Sequence, residues 1–446
     1  MHSFSRLSLL FVLVAVLLPG TAQSAGYLVR EHSTSGLSSA FAGVHTGAHD
    51  LADMFFNPAT LMRHEPGEAA VSVLQLEPEV RFRLRSATTA AGGVIGGFPG
   101  GEDAAPSATI PALYASIADR QGWRFGLAVN APWGLKTSYA PTWVGRYHAL
   151  DSDMQSLAVM PVAARRLDGK WRLGIGLNIQ SVEAKLSNAV DYGSIAAANG
   201  IPGNAPTLQD GIAELTGDSR DAGYVIGLLC DLSPRETLGV SFRSAVRHRL
   251  EGTGSFAFDQ AGMAATLNAA TGIFAPTAAH AHLTTPEIFG LGYSRTCGAS
   301  WTLMLDVTKT FWHRYGGLTV QFDNPAQPDA VTAEGWRDVW FTSAGVRFQS
   351  SSRLAWRAGV ALDRSPIPDN RRTPRIPGSD SRQVAIGAEY RASDRLLISA
   401  GIMRLFYDEA PIDLRATVPG NLLRGNLAGD TDTSFDIYGI QAIYNW

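Results

Sequence analysis

The segment Trp171-Arg172-Leu173-Gly174-Ile175-Gly176-Leu177-Asn178-Ile179 carries a large apolar residue at every odd position and a small or polar one at every even position. Successive side chains of a strand point to opposite faces, so this segment has one greasy face and one of glycine, arginine and asparagine. The same alternation recurs at 224–232, 301–307, 354–362, 384–390 and 438–446, and more briefly at 289–293. None of these runs is long or apolar enough to cross a bilayer as a helix. A soluble sandwich also alternates, but many long strands behind an export signal, with lumen-like Gly, Asn and Gln faces, predict a barrel in lipid. The terminal residue, Trp446, ends one of these strands.

The N-terminus points to the same compartment. Arg6 precedes an apolar run at 7–18, then Pro19-Gly20 and the small residues Thr21-Ala22-Gln23-Ser24-Ala25. This is a signal peptide over residues 1–24, with cleavage after Ser24 and no cysteine for lipidation. The mature chain loses only Arg6, so 36 basic residues face 40 acidic ones, a formal charge of -4. Its Lys and Arg are scattered through turns and loops, which argues against a nucleic-acid partner. Cys230 and Cys297 fall two strands apart, beyond the reach of a disulfide, and both are expected free, with Cys230 facing lipid.

Six short polar connections, at 119–122, 167–170, 233–236, 297–300, 349–352 and 391–394, alternate with seven long loops rich in Gly, Pro, Ala, Asn and Asp. The loops are expected at about 86–109, 133–153, 190–219, 255–281, 324–337, 367–380 and 413–430. Together they join fourteen strands, an even number with short turns on one side and long loops on the other. Residues 67–446 are thus read as an all-β, fourteen-stranded antiparallel transmembrane barrel. Residues 25–66 do not alternate, yet they hold Met54, Phe55 and Phe56, and clustered aromatics want burial. A barrel this wide is either water-filled or plugged, so residues 25–66 are read as an N-terminal hatch.

At these residues the chain resembles the FadL family of outer-membrane long-chain fatty acid transporters, with the related aromatic-hydrocarbon transporters. The matches run nearly end to end: Ala25-Gly26-Tyr27, Ser35-Gly36-Leu37 and Ala40-Phe41-Ala42-Gly43 at the start, and Asn57-Pro58-Ala59 as the hatch signature. Pro132-Trp133-Gly134-Leu135-Lys136-Thr137, Trp143 to Ala149, Thr285-Pro286-Glu287 and Trp336 to Trp340 follow in order. The stretch from Gly359 to Asp363, continuing through Pro366 to Asp369 and Arg372 to Pro377, is the most specific. The resemblance implies a fourteen-stranded barrel with an N-terminal hatch, a monomer in the outer membrane, and an inward kink in the third strand at the counterpart of Gly134.

No catalytic constellation stands out, and no metal site or cofactor is expected. His280 and His282 read as loop histidines without a third ligand, and the glycine-rich 92–101 lacks the Lys-Ser/Thr of a phosphate loop. The strand beginning at Trp123 is interrupted by Ala131-Pro132-Trp133-Gly134, where proline removes a ladder donor, so Pro132 and Gly134 mark a lateral opening. Phe256, Phe258 and Phe274 sit in a long loop with almost no charge and are expected to form a greasy capture surface. A carboxylate ligand wants a cation: the resemblance implies a basic residue close to Lys185, inward or near the rim, which is the first candidate, and Arg314 is the second. A further family lysine is replaced by Thr319, which weakens strict fatty-acid specificity.

The expected activity is passive uptake of long-chain fatty acids by loop capture, hatch rearrangement and lateral release into outer-membrane lipid. Uptake of aromatic or alkane hydrocarbons by the same barrel is the alternative. An adhesin or phage receptor would instead show polar loops and no apolar pocket, and an outer-membrane hydrolase would depend on a Ser, His or Asp.

Overall fold

The computed structural model describes residues 26–257, 262–418 and 420–446, so the signal peptide and Phe258 lie outside the described residues. Fourteen strands form one closed antiparallel barrel. They are β1 (Glu68–Thr88), β2 (Ala108–Arg120), β3 in two halves (Trp123–Asn130 and Gly134–Ser138), β4 (Asp151–Arg166), β5 (Trp171–Asp191) and β6 (Asp210–Ser233). Then follow β7 (Glu236–Arg243 and Val246–Ala257), β8 (Thr277–Thr285 and Ile288–Cys297), β9 (Trp301–Thr310 and Gly317–Phe322) and β10 (Ala330–Ala333 and Val339–Gln349). The last are β11 (Leu354–Asp363), β12 (Ser381–Arg391), β13 (Leu396–Tyr407 and Ala410–Leu414) and β14 (Asn426–Asn445). β14 pairs with β1 from Glu68↔Asn445 to Thr88↔Asn426, which closes the barrel and leaves no edge there.

The alternation dictates the wall. In β5 the odd residues Trp171, Ile175 and Leu177 are exposed and the even Gly174, Asn178 and Gln180 are buried, so the apolar face looks outward to lipid. Several strands run further than the apolar pattern foretells. β5 and β6 continue to Asp191 and from Asp210, leaving a shorter connection than 190–219, and β3 resumes after its break at Gly134. Above the membrane the outward face need not be apolar, so the ladder goes on where the pattern ends. The same extension puts His280 and His282 on β8 instead of in a loop. Cys230 and Cys297 are both free.

Residues from Gly26 to Arg63 fill the lumen as a compact plug with two short helices, α1 (Thr34–Leu37) and α2 (Asp53–Phe56), and a 3₁₀ turn (Pro58–Arg63). It meets the wall through apolar packing, with Leu37, Phe41 and Val44 among Leu74, Phe341 and Phe435, and through polar contacts. His45 Nδ1 meets Asp306 Oδ1 at 2.7 Å, Gln441 Nε2 donates to Asp50 Oδ2 at 2.6 Å, and Arg357 donates to Ala48 O at 3.3 Å. Buried polar groups demand such partners. Asn57 explains the Asn-Pro-Ala signature: its side chain accepts from Ala59 N at 3.0 Å and donates to His45 O at 2.7 Å and Leu228 O at 3.3 Å. Pro58 then starts the 3₁₀ turn, where its missing N–H costs nothing.

The plug comes this close because glycines interrupt the side chains of the wall facing it. A Cβ at Gly174 would overlap the Pro58–Ala59 backbone, one at Gly227 the Asn57 amide, one at Gly239 or Gly290 His45, and one at Gly359 or Gly387 Ser39 or Ser38. The small members of the alternating pattern are therefore the bed of the plug. Gly227→Val should destabilise plug docking by about 1–3 kcal/mol, seen as faster tryptic cleavage at Arg63, while the unheated barrel keeps its compact mobility in detergent gels.

Candidate functional site

Above the plug the lumen opens into a chamber of about 140 Å³. Its wall is apolar: Leu135, Met154, Leu186 and Leu250 from one side, Leu283, Leu318, Val320 and Ile376 from the other. All but Ile376, which lies on the β11–β12 loop, are inward members of strands above the membrane, where alternation places them without any outward apolar partner. At the floor Tyr27, Trp312, Tyr315 and Trp336 pack edge to face or tilted, with ring centroids 4.7–5.6 Å apart.

The outer end of the chamber is cationic. Arg375, on the β11–β12 loop, and Arg424, on the β13–β14 loop, line both the chamber and a second cavity of about 70 Å³ that leads outward. Arg375 donates only to neutral oxygens: Asp151 O at 2.8 Å, Ser152 Oγ at 3.0 Å and Ser187 O at 2.8 Å. Among the described residues neither arginine has a carboxylate within ion-pair distance. Burial, then the Arg424 charge, pulls Arg375 down to about 9, and burial lowers Arg424 too. The same two guanidinium charges, after burial, hold His148 down to about 3. Glu334, in the link within β10, also borders both cavities, and burial pushes it up to about 7. A desolvated pair of guanidiniums beside an apolar chamber is the arrangement an anionic amphiphile needs.

The wall has a gap at the break in β3. Its lower half pairs with β2 as far as Leu113↔Val129, and Ala108–Ala112 of β2 have β1 but no β3 beside them. Between Asn130↔Ala158 and Gly134↔Gln155 the strand gains one residue over β4, a bulge that Ser156 stabilises by bonding both Trp133 N (2.9 Å) and Trp133 O (2.7 Å). The plug's first residues close the gap from inside. Val29 N donates to Pro132 O at 2.9 Å and Gly134 N to Tyr27 O at 3.0 Å. Beneath them a cavity of about 30 Å³ is bounded by Leu28, Val29, Phe55, Phe56, Pro132 and Trp133.

The expected site residues fall in different places. Pro132 and Gly134 flank the wall gap, and Asn57, Pro58 and Ala59 hold the plug to the wall. Lys185 is not inward: it shares the outward face of Trp171 and Ile175 and pairs with Glu214 at 2.8 Å. Arg314 is half exposed and tied to Glu287 at 3.0 Å, away from the chamber lining. Phe256 and Phe274 do not line the chamber; they pack with Tyr192, Met263 and Leu267, joining α3 (Tyr192–Ala198) to α4 (Met263–Thr271). Phe258 lies outside the described residues. The guanidiniums at the chamber are instead those of Arg375 and Arg424, and His280 of β8 also lines it.

A plugged fourteen-stranded barrel with an apolar chamber and a gap in its wall has the architecture of an outer-membrane transport protein. Residues 15–446 match the family described as outer membrane protein transport protein (OMPP1/FadL/TodX), and the chain belongs to it. It is 27% identical over 432 residues to a long-chain fatty acid transport protein of Escherichia coli O6:H1, covering 91% of this chain and 89% of the relative. A putative outer membrane protein of Neisseria meningitidis serogroup B is 27% identical over 459 residues, covering 97% and 98%. Among solved structures, a Pseudomonas aeruginosa FadL homologue superposes with a TM-score of 0.88 at 22% identity, covering 94% of this chain and all of that one. The Pseudomonas putida toluene transporter TodX gives 0.67 at 15% identity, covering 95% and 100%. At these identities the solved structures show the fold alone.

Below pH 7 Glu334 is neutral and leaves the guanidinium pair free for an anion; above it, the carboxylate opposes one. Affinity for a non-titrating alkyl sulfonate should fall as pH rises from 6 to 8, by on the order of tenfold at most. Calorimetry on the protein in nanodiscs reads this, and Glu334→Gln should flatten the slope.

Proposed function

We propose that the chain carries long-chain fatty acids inward across the outer leaflet and releases them sideways into the membrane. The carrying observation is that Tyr27 to Val29 do three things at once. They line the floor of the chamber, roof the lower cavity, and bond the strand edge at the β3 gap. A chain that enters the chamber and presses on Tyr27 thereby loosens the bonds to Pro132 and Gly134. Burial gains about 0.8 kcal/mol per methylene, so a fourteen-methylene chain favours lipid over water by about 11 kcal/mol. Release into the bilayer then needs a path and no energy source. The carboxylate is held at Arg375 and Arg424 until the tail has found the gap.

The aromatic floor favours a second cargo, a neutral hydrocarbon ring, which needs the chamber and not the cations. Uptake of labelled oleate and labelled toluene by cells lacking their own transporter separates the two. With a fatty-acid carrier, Arg375→Ala combined with Arg424→Ala lowers oleate uptake about 10-fold or more, as loss of a charge-assisted head-group contact implies, and toluene entry is unchanged. Toluene uptake without oleate uptake would assign the barrel to hydrocarbons.

The lateral route has its own test. Pro132→Val with Gly134→Val restores β-branched residues where the ladder is interrupted. Oleate uptake should drop severalfold while the folded barrel reaches the surface in normal amount; full uptake in that variant would remove the lateral exit.

A further inference from the structure

The ladder is also interrupted between β6 and β7. Pairing runs up to Val225↔Arg243 and resumes only at Asp218↔Glu251, so Ser219–Tyr224 and Ser244–Leu250 face each other unladdered. Tyr224 and Ser244 make the last bridge, Tyr224 N to Ser244 Oγ and Ser244 N to Tyr224 O, both at 2.9 Å. Since Tyr224 turns its N–H and C=O towards β7, period two turns those of Ala222 and Arg220 the same way, into an open cleft of about 420 Å³. The cleft begins where the apolar outer face ends, above Tyr224, Phe242 and Phe289. In hydrocarbon such open backbone groups would cost several kcal/mol each. They therefore belong at head-group level, where a polar partner can meet them.

The charges around the cleft select that partner. Arg247 lines it and Arg220 stands on the same outward face; both are exposed, and neither has a side-chain hydrogen bond or ion pair among the described residues. The two acids of the cleft are already engaged. Glu287 pairs with Arg314 at 3.0 Å, and Asp221 receives Ser219 Oγ at 3.3 Å and lies 3.5 Å from His248. The inner side is stopped by Val246 and His248, both buried, so the cleft is a niche and not a second exit. Two free guanidiniums, a serine hydroxyl and outward backbone donors match phosphate oxygens.

We propose that this β6–β7 niche seats the phosphorylated head group of an outer-leaflet lipid, which completes the interrupted wall. The test uses the whole barrel in phosphatidylcholine nanodiscs doped with bis-phosphorylated lipid A or with the same lipid after enzymatic dephosphorylation. Native mass spectrometry after detergent release counts what stays bound. Wild-type protein should retain one phosphorylated lipid at least 10-fold better than the dephosphorylated form. Arg220→Ala with Arg247→Ala should abolish that preference, and the milder Arg247→Gln should reduce it. Lys185→Ala, on the same outer surface but paired away, should leave it intact. Equal retention of both lipids, an undiminished preference in the folded double variant, or full displacement by inorganic phosphate would each overturn the proposal.

Discussion

Every backbone N–H and C=O in the hydrocarbon layer must find a partner inside the protein, and this requirement governs the rest of the structure. It forces the sheet to close through β1 and β14, and it makes any gap in the ladder conspicuous. The gap beside β3 is tolerable only because something else supplies the missing bonds. Ser156 takes those of Trp133, and Tyr27 and Val29 take those of Gly134 and Pro132. Part of the closure of the wall is thus lent by the plug's first residues.

The second constraint is steric. Parts of the plug backbone lie against the wall backbone, and the glycines of the inward face make this possible at Gly174, Gly227, Gly239 and Gly359. The same face turns bulky and apolar above the plug, with Met154, Leu186 and Leu250. One alternating pattern therefore makes two compartments, a filled one below and an empty one above.

The architecture was legible in the sequence because lipid imposes a regular signal: apolar, small, apolar, small, with turns between. The strand count, the free cysteines and the break at Pro132 follow from it. The upper parts of β5, β6 and β8 were illegible, since outside lipid an outward Glu183 or Arg220 looks like loop. Lys185 is a different case. Counting by twos from Trp171 puts it on the outward face, so its position could have been read from parity, and the likeness to relatives overrode that count. Arg375 and Arg424 carried no such signal. They reach the chamber because two loops fold back over the mouth, and loop paths leave no period in a sequence.

The plug is bound to the wall all round, through His45 to Asp306, Asp50 to Gln441 and the Ala48 carbonyl to Arg357. Expelling it whole would strand buried polar groups at about 1–3 kcal/mol apiece, whereas shifting three residues at its upper end disturbs few of them. On the proposed lateral route a greasy molecule would be admitted without the outer envelope ever acquiring a water-filled hole. Hydrophilic poisons that exploit open pores would then gain nothing from this barrel.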